Sequence, residues 1–172
     1  FYDFYSGKCD EKCISIPIKY HTGAAVSTSS LLDTSLLHFL GYPYITDIDI
    51  DKNPNILKKY DRVIMLHSEY VTQKEFDAVT NHPNVLYLYP NAMYAQVATD
   101  YDKNTLTLIR GHGYPDSSIK NGFGWKFDNS PLEYDRRCDN WSLSKIDNGQ
   151  MLDCSPGMRM LYDENLLMAI RG

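Results

Sequence analysis

The sequence predicts a single α/β domain over residues 1–172, with a three-layer, doubly wound, mostly parallel sheet and a C-terminal β-hairpin. The first observation is that apolar runs alternate with helical segments along the chain. The second is that two runs, RVIML at 62–66 and NVLYLY at 84–89, are apolar on both faces, as buried parallel strands are. The third is size, because 172 residues, 43% of them hydrophobic, suit one domain with its own core.

The first part of the chain predicts two strands and two helices. CISIPIKY at 13–20 is rich in isoleucine and predicts the first strand. Ser30 is the predicted N-cap of a helix whose apolar residues repeat at helical spacing until Gly41. YITDIDID at 44–51 alternates with period two and predicts another strand. A short helix over 53–60 begins with Asn-Pro, a cap followed by the residue favoured in the first turn.

The middle of the chain completes the predicted core, which spans about 13–110. After the RVIML strand, Thr72 and Glu75 form a capping box for a predicted helix over 73–81. NVLYLY then predicts a buried strand, and NTLTLIR at 104–110 predicts one more.

The last third is different in character. A long Gly-rich loop occupies 111–131, and loops of that length are uncommon in compact domains unless they are functional or disordered. WSLSKIDNGQML predicts a hairpin that turns at Asn148-Gly149, and DENLLMAI predicts a closing helix. The C-terminal hairpin and helix together cover 138–171.

Composition excludes some partners. The net charge is −5 and the 17 Lys and Arg are scattered, so no basic stripe is present to bind nucleic acid. No apolar stretch approaches the roughly 20 residues needed to span a bilayer, so no membrane span is expected in this chain. The opening FYDFYSGKCDEKC fits a chain from which a signal peptide or anchor has been removed.

The four cysteines favour an exported protein. They fall as a near pair, Cys9 and Cys13, and a distant pair, Cys138 and Cys154. Four cysteines allow three disulfide connectivities, of which we favour Cys9–Cys13 with Cys138–Cys154. A zinc site made of four thiolates and free intracellular thiols are the alternatives. The glycosylation triplet Asn140-Trp141-Ser142 fits an extracellular or cell-surface location.

Polar side chains follow three of the predicted strands. His21 follows the first, the segment His67-Ser68-Glu69-Tyr70 follows RVIML, and Asn91 and Tyr94 follow NVLYLY. In an open α/β sheet, ligands bind beyond the carboxyl ends of the strands. We therefore expect an unknown small molecule or protein to bind at this edge, with His21, Glu69 and Asn91 among the binding residues.

Several familiar chemistries are excluded by missing motifs. No Gly-x-Ser-x-Gly elbow, no Gly-x-Gly-x-x-Gly segment and no Walker loop is present, and no cysteine stands in YPNAMYA. DIDIDKNPN begins like a calcium loop, but Lys52 stands where glycine is required.

The segments HSEYVT, YPNAMYAQV and NTLTLIRG together resemble the C-terminal glutamine-amidotransferase-like domain of the N,N-dimethylformamidase large-subunit family. The resemblance covers about residues 60 to 135 and implies a class I glutamine-amidotransferase-like or flavodoxin-like fold. The sequence of these segments is also similar to that of uncharacterised archaeal surface proteins. This chain departs from the family in having Pro90 before Asn91, in its shorter length and in lacking the large additional domain.

The resemblance implies an iron site. Its ligands would be the phenolates of Tyr70 and Tyr94 and the carboxylate of Glu133, with His67 as a catalytic residue that orients bound water or acts as a base. Ferric iron prefers such oxygen donors and can activate water for attack on an amide. The alternatives are ordinary packing for the two tyrosines, a solvated Glu133 and a plain loop histidine at His112.

Two functions follow from the sequence. The favoured one is a secreted or cell-surface α/β domain that binds a ligand or protein without catalysis. The alternative is an iron-dependent hydrolase of amide bonds with a Tyr/Tyr/Glu site.

Overall fold

The structure is a computed structural model that describes residues 1–18, 29–127, 129 and 137–172, with the backbone alone at 29 and 30. The described residues form five α-helices: α1 (Tyr2–Tyr5), α2 (Ser29–Phe39), α3 (Asp47–Lys52), α4 (Gln73–Thr80) and α5 (Glu164–Arg171). They form eight strands: β1 (Ser15–Pro17), β2 (Val63–Met65), β3 (Tyr70–Val71), β4 (Val85–Tyr87), β5 (Ala95–Asp100), β6 (Thr105–Arg110), β7 (Leu143–Ile146) and β8 (Gly149–Leu152). Short 3-10 helices lie at Glu11–Ile14, Pro54–Lys59, Cys138–Asn140 and Gly157–Leu161.

The strands divide between two mixed four-stranded sheets. Sheet I has the order β1-β6-β5-β3, with antiparallel pairs except for the parallel pair of β3 and β5. Sheet II has the order β2-β4-β8-β7, in which β2, β4 and β8 are parallel and β7 is antiparallel to β8. The prediction of an α/β fold is therefore confirmed, with two sheets in place of one.

Sheet II is buried on both faces, as its apolar strands predict. Along β4 and its continuation, Val85 and Tyr87 belong to one buried cluster, while Leu86 and Leu88 belong to another. The first cluster includes side chains from α3 and α4, and the second includes side chains from α2 and α5. Period-two alternation thus sends successive side chains of one strand into two separate cores.

The prediction of a strand over 44–51 is wrong. These residues form a loop followed by α3, whose N-cap is Thr46. The Thr46 and Asp49 side chains each accept a hydrogen bond from the other residue's backbone N–H, which makes a capping box. The alternation of isoleucine and aspartate has the period of a strand, but the capping box at Thr46 favours a helix, and the helix forms.

Sheet I was only partly anticipated. Within the predicted first strand over 13–20, Cys13 and Ile14 belong to a 3-10 helix and Ser15–Pro17 pairs with β6, while residues 19 and 20 lie outside the described residues. The predicted NTLTLIR strand forms β6, but it pairs antiparallel with β5, which was not predicted. A strand in sheet I need not be apolar on both faces, so β5 lacks the signal that identified β2 and β4.

Other predicted elements are confirmed. Thr72 caps α4 in a complete capping box with Glu75, and Asp163 caps α5. The C-terminal hairpin forms, and it joins sheet II because β8 pairs with β4. Its two-residue turn is at 147–148, one residue before the predicted Asn148-Gly149, because Gly149 pairs with Ile146 as the first residue of β8. The prediction of Ser30 as the N-cap of α2 is wrong, because the helix begins at Ser29 and Ser30 therefore lies within its first turn.

Both predicted disulfides form. Cys9 is bonded to Cys13 and Cys138 to Cys154, so no free cysteine remains. The second bond lies inside the core beside α5, because Cys138 and Cys154 are 3% and 1% exposed. Across the part of the chain that the structure describes, no helix has the length and apolar character needed to cross a membrane.

Candidate functional site

The segment after β2 crosses from sheet II to sheet I. It runs through residues 66–69 and enters β3 at Tyr70. The carbonyl oxygen of Glu69 accepts hydrogen bonds from the backbone N–H groups of Tyr94 and Ala95, each at 2.9 Å. The polar residues after the RVIML strand therefore connect the two sheets, and they contribute to two neighbouring features.

The first feature is a cluster around the buried carboxylate of Glu69, which is 8% exposed. Nε2 of His112 lies 2.6 Å from Oε1 of Glu69, and the Tyr2 hydroxyl donates to Oε2 at 3.2 Å. Because an ionised carboxylate only accepts hydrogen bonds, Nε2 of His112 carries the proton. Nε2 of His67 lies 4.0 Å from Oε2, so two histidines and a tyrosine surround this one carboxylate.

Aromatic rings enclose His112 in this Glu69 cluster. The ring centroids of Tyr94, Tyr5 and Tyr70 lie 4.5, 4.9 and 5.7 Å from that of His112. Burial raises the pKa of the Tyr70 hydroxyl well above its usual range, and the nearby Glu69 carboxylate and Tyr5 add to the effect. Tyr70 is therefore held in its neutral form.

The N-terminal residues cover the Glu69 cluster. The ring of Phe1 packs on Tyr70 at 5.1 Å between centroids, and the ring of Phe4 packs on Tyr114 at 5.4 Å. Helix α1 is followed by a turn in which the Asp3 carbonyl accepts hydrogen bonds from the N–H groups of Lys8 and Cys9. The cluster is consequently closed on this side by the chain itself.

Of two interpretations of His112, a residue that covers the rim of the site and an ordinary loop histidine, the sequence favours the second. Gly111 has φ +122°, and a Cβ there would lie 2.9 Å from Cα of Ala95. His112 itself has φ +53°, and its N–H donates to the Lys120 carbonyl. Gly111, directly before His112, was the available signal, since a glycine there permits the close approach of this loop to β5.

The second feature is a groove of about 540 Å³ between α2, the loop before α3, and β2. We call it the α2–β2 groove. Its walls are largely apolar or aromatic, and its lining includes Leu37, Tyr42, Tyr44, Ile45, Ile50, Tyr60, Ile64, Met65 and Leu66.

Polar groups stand at one end of the α2–β2 groove. His67, Ser68 and Asp47 all line it, and the Ser68 hydroxyl donates to Oδ1 of Asp47 at 3.3 Å. Desolvation by the surrounding protein raises the pKa of the Asp47 carboxyl, and the Ser68 hydrogen bond opposes this rise, although the residue as a whole is exposed to solvent. His67 therefore lines the groove and also approaches the Glu69 cluster.

Buried acids lie behind the groove walls. The fully buried Asp33 accepts a hydrogen bond from the Tyr89 hydroxyl, and the Tyr89 ring stacks on His67 at 4.9 Å between centroids. Burial raises the pKa of Asp33 to about 6. Burial also raises the pKa of Glu75 to about 7, with Asp47 and Asp51 adding negative charge nearby.

These two raised pKa values predict that stability falls as pH rises from 5 to 8. A carboxyl whose pKa is raised in the folded state keeps its proton to a higher pH there than in the unfolded state. Its contribution to the free energy of unfolding is complete below the pKa of the unfolded state and is lost as the pH rises through the pKa of the folded state. Together Asp33 and Glu75 should lower the free energy of unfolding by on the order of 3 kcal/mol over this range. Urea denaturation at both pH values measures the change. Glu75→Gln should remove most of this pH dependence, whereas replacement of the exposed Glu164 by glutamine should leave it unchanged. If the free energy of unfolding changes equally with pH in the wild type and both variants, the raised pKa of Glu75 is refuted.

The predicted site residues are partly brought together. Glu69, Tyr70 and Tyr94 lie in the cluster with His112, and His67 lies between the cluster and the groove. Asn91 is buried in the turn after β4. His21 and Glu133 lie outside the described residues.

The iron site that the resemblance implies stays a prediction, because one of its three ligands, Glu133, lies outside the described residues. The Tyr70 hydroxyl is buried in neutral form beneath α1, and Oε2 of Glu69 accepts a hydrogen bond from Tyr2. Among the residues that the structure describes, no group of three or more His, Cys, Asp or Glu side chains is placed to hold a metal ion.

Comparison with known proteins adds no family. No protein-family model matches this chain, and no curated protein matches it.

Proposed function

We propose that this chain is a secreted or cell-surface α/β domain that binds a small molecule in the α2–β2 groove without catalysing a reaction. The observation that carries the proposal is the groove itself, a largely apolar cleft in which His67, Ser68 and Asp47 form a polar group. Its volume of about 540 Å³ lies within the range of natural small-molecule sites.

The position of the groove supports a binding role. Its polar end is formed by residues that directly follow β2, and in α/β sheets ligands bind beyond the carboxyl ends of parallel strands. An apolar body would be desolvated against Ile64, Leu66 and Tyr42, while its polar end reaches Ser68 and Asp47. A mostly apolar cleft with a few convergent polar groups is the usual form of such sites.

The disulfides support the location. Two disulfide bonds are consistent with an oxidising, extracellular environment. An extracellular domain meets its ligand in bulk solution or on a neighbouring surface, which suits an open groove.

The finer architecture is also part of this proposal. A doubly wound, three-layer core of the glutamine-amidotransferase-like kind is supported by the parallel β2-β4-β8 order and by α4, which lies between β2 and β4 in the chain. The separate clusters on the two faces of sheet II give further support.

An iron-dependent hydrolase of amide bonds is the second candidate function. It rests on the resemblance and on one geometric observation, the shared contact of Tyr70 and Tyr94 with His112. It would require α1 to leave the cluster, because Phe1 and Tyr2 now occupy its open side. Iron that binds in proportion to the chain and is lost in Tyr70→Phe would favour this function.

The groove proposal predicts that the protein binds the neutral dye Nile red with saturable, one-to-one fluorescence enhancement. Thr34 lines the groove from α2, so Thr34→Trp should fill it and weaken dye binding by about tenfold or more. Ser35→Trp is the matched control, since Ser35 is exposed on the same helix and does not line the groove. Equal dye affinity in the two variants, or no saturable binding at all, would contradict the proposal.

A further inference from the structure

We infer that the ligand of the α2–β2 groove is a small organic cation, an amine with an apolar or aromatic body. This inference rests on the proposed function, because it names the class of molecule that the groove takes. It follows from Asp47 and Arg62, which both line the groove, and from the rings in its walls.

The polar end of the groove carries a carboxylate without a counter-charge. Asp47 accepts a hydrogen bond from Ser68, and it forms no ion pair with any residue in the described part of the chain. The nearby ionisable groups of α3 and α4 include Glu75, whose raised pKa of about 7 leaves it partly protonated near neutral pH, and Asp51, which interacts with Lys74. A carboxylate that lines a largely apolar groove and has no ion-pair partner among the described residues favours a bound cation and disfavours a bound anion.

The arginine in the groove lining is already engaged. Nη1 of Arg62 donates to the Ile170 carbonyl at 2.6 Å, and Nη2 donates to the Ala169 carbonyl at 3.3 Å. These carbonyls belong to the last turn of α5, where a cation is electrostatically favourable. Arg62 thus stabilises the C-terminal end of α5. Asp47 lines the groove and has no ion-pair partner among the described residues.

The groove walls suit the body of such a cation. Tyr42, Tyr44 and Tyr60 line the groove, and the Tyr44 ring packs edge-on against His38 at 5.6 Å between centroids. Aromatic faces attract cations as well as apolar groups. An amine with a ring or short hydrocarbon body would therefore contact apolar walls along its length and Asp47 at its charged end.

Three probes with one ring and one chain length isolate the charge: phenethylamine, phenethyl alcohol and phenylacetate. Affinities are measured at low salt by displacement of Nile red. We expect phenethylamine to bind about fivefold more tightly than phenethyl alcohol, and phenylacetate to bind most weakly. Asp47→Asn keeps the Ser68 hydrogen bond and should reduce the affinity for phenethylamine to that for the alcohol, with the alcohol itself unaffected.

Asp61→Asn is the matched control, because Asp61 is an exposed carboxylate next to Arg62 that does not line the groove. It should leave the preference for the amine intact. If the alcohol and phenylacetate bind as tightly as the amine, or if the two asparagine variants behave alike, the cation inference is wrong while the groove proposal stands. If none of the probes displaces the dye and the dye itself does not saturate, the groove proposal fails with it.

Discussion

Replacement of Gly149 by alanine should prevent stable folding. A Cβ at this position would lie 1.8 Å from the carbonyl oxygen of Val85, a backbone atom of the neighbouring strand β4. Because β8 pairs with β4 in the middle of sheet II, the clash cannot be relieved without separating the two strands. We expect a loss of more than about 4 kcal/mol in the free energy of unfolding, which approaches the whole stability of a small domain.

Gly124→Ala provides the control. A Cβ at Gly124 meets no atom within 4 Å, so the same methyl group should change stability by less than about 1 kcal/mol. Thermal and urea denaturation of the two variants measure the difference. A Gly149→Ala protein that is as stable as Gly124→Ala would show that β4 and β8 are not neighbours, and the proposed order of sheet II would fail.

Glu69→Ala should destabilise the protein by about 3 kcal/mol. The substitution removes the acceptor of both His112 and Tyr2 and leaves a protonated imidazole nitrogen buried without its carboxylate. Glu11→Ala is the control, because Glu11 is an exposed glutamate in a 3-10 helix. Its removal should cost less than about 0.5 kcal/mol.

A double-mutant cycle separates the Glu69–His112 interaction from the general cost of truncation. If the two side chains interact as the structure shows, the combined Glu69→Ala and His112→Ala variant should be less destabilised than the sum of the two single changes. Strict additivity would mean that His112 does not contact Glu69, and the Glu69 cluster would then be absent in solution.

Local signals identified several elements correctly. The capping box of Thr72 and Glu75 requires neighbours only three residues apart, so it is visible in the sequence and is present at the start of α4. The apolar composition of strands β2 and β4 also predicts that they are buried. The run at 44–51 shows the limit, since its strand-like alternation and the Thr46 cap compete within the same eight residues.

Long-range contacts account for what the sequence did not predict. Tyr2 and His112 reach Glu69 across separations of 67 and 43 residues, and no local pattern specifies either contact. The groove depends on how α2 and the loop before α3 pack beside β2, which is again a tertiary property. The segment at 66–70 could be recognised as a site from its polar residues, but its division between a closed cluster and an open groove could not.

The most direct test of ligand binding in the α2–β2 groove is an amide NMR titration of the isotope-labelled protein with phenethyl alcohol, which carries no charge. We expect saturable changes in the amide chemical shifts of residues 66–68 and of α2. The amides of β7 should not change, because β7 lies at the far edge of sheet II. Thr34→Trp should abolish these shifts. Chemical-shift changes that spread over the whole surface without saturation, or that leave residues 66–68 unchanged, would contradict ligand binding in the α2–β2 groove.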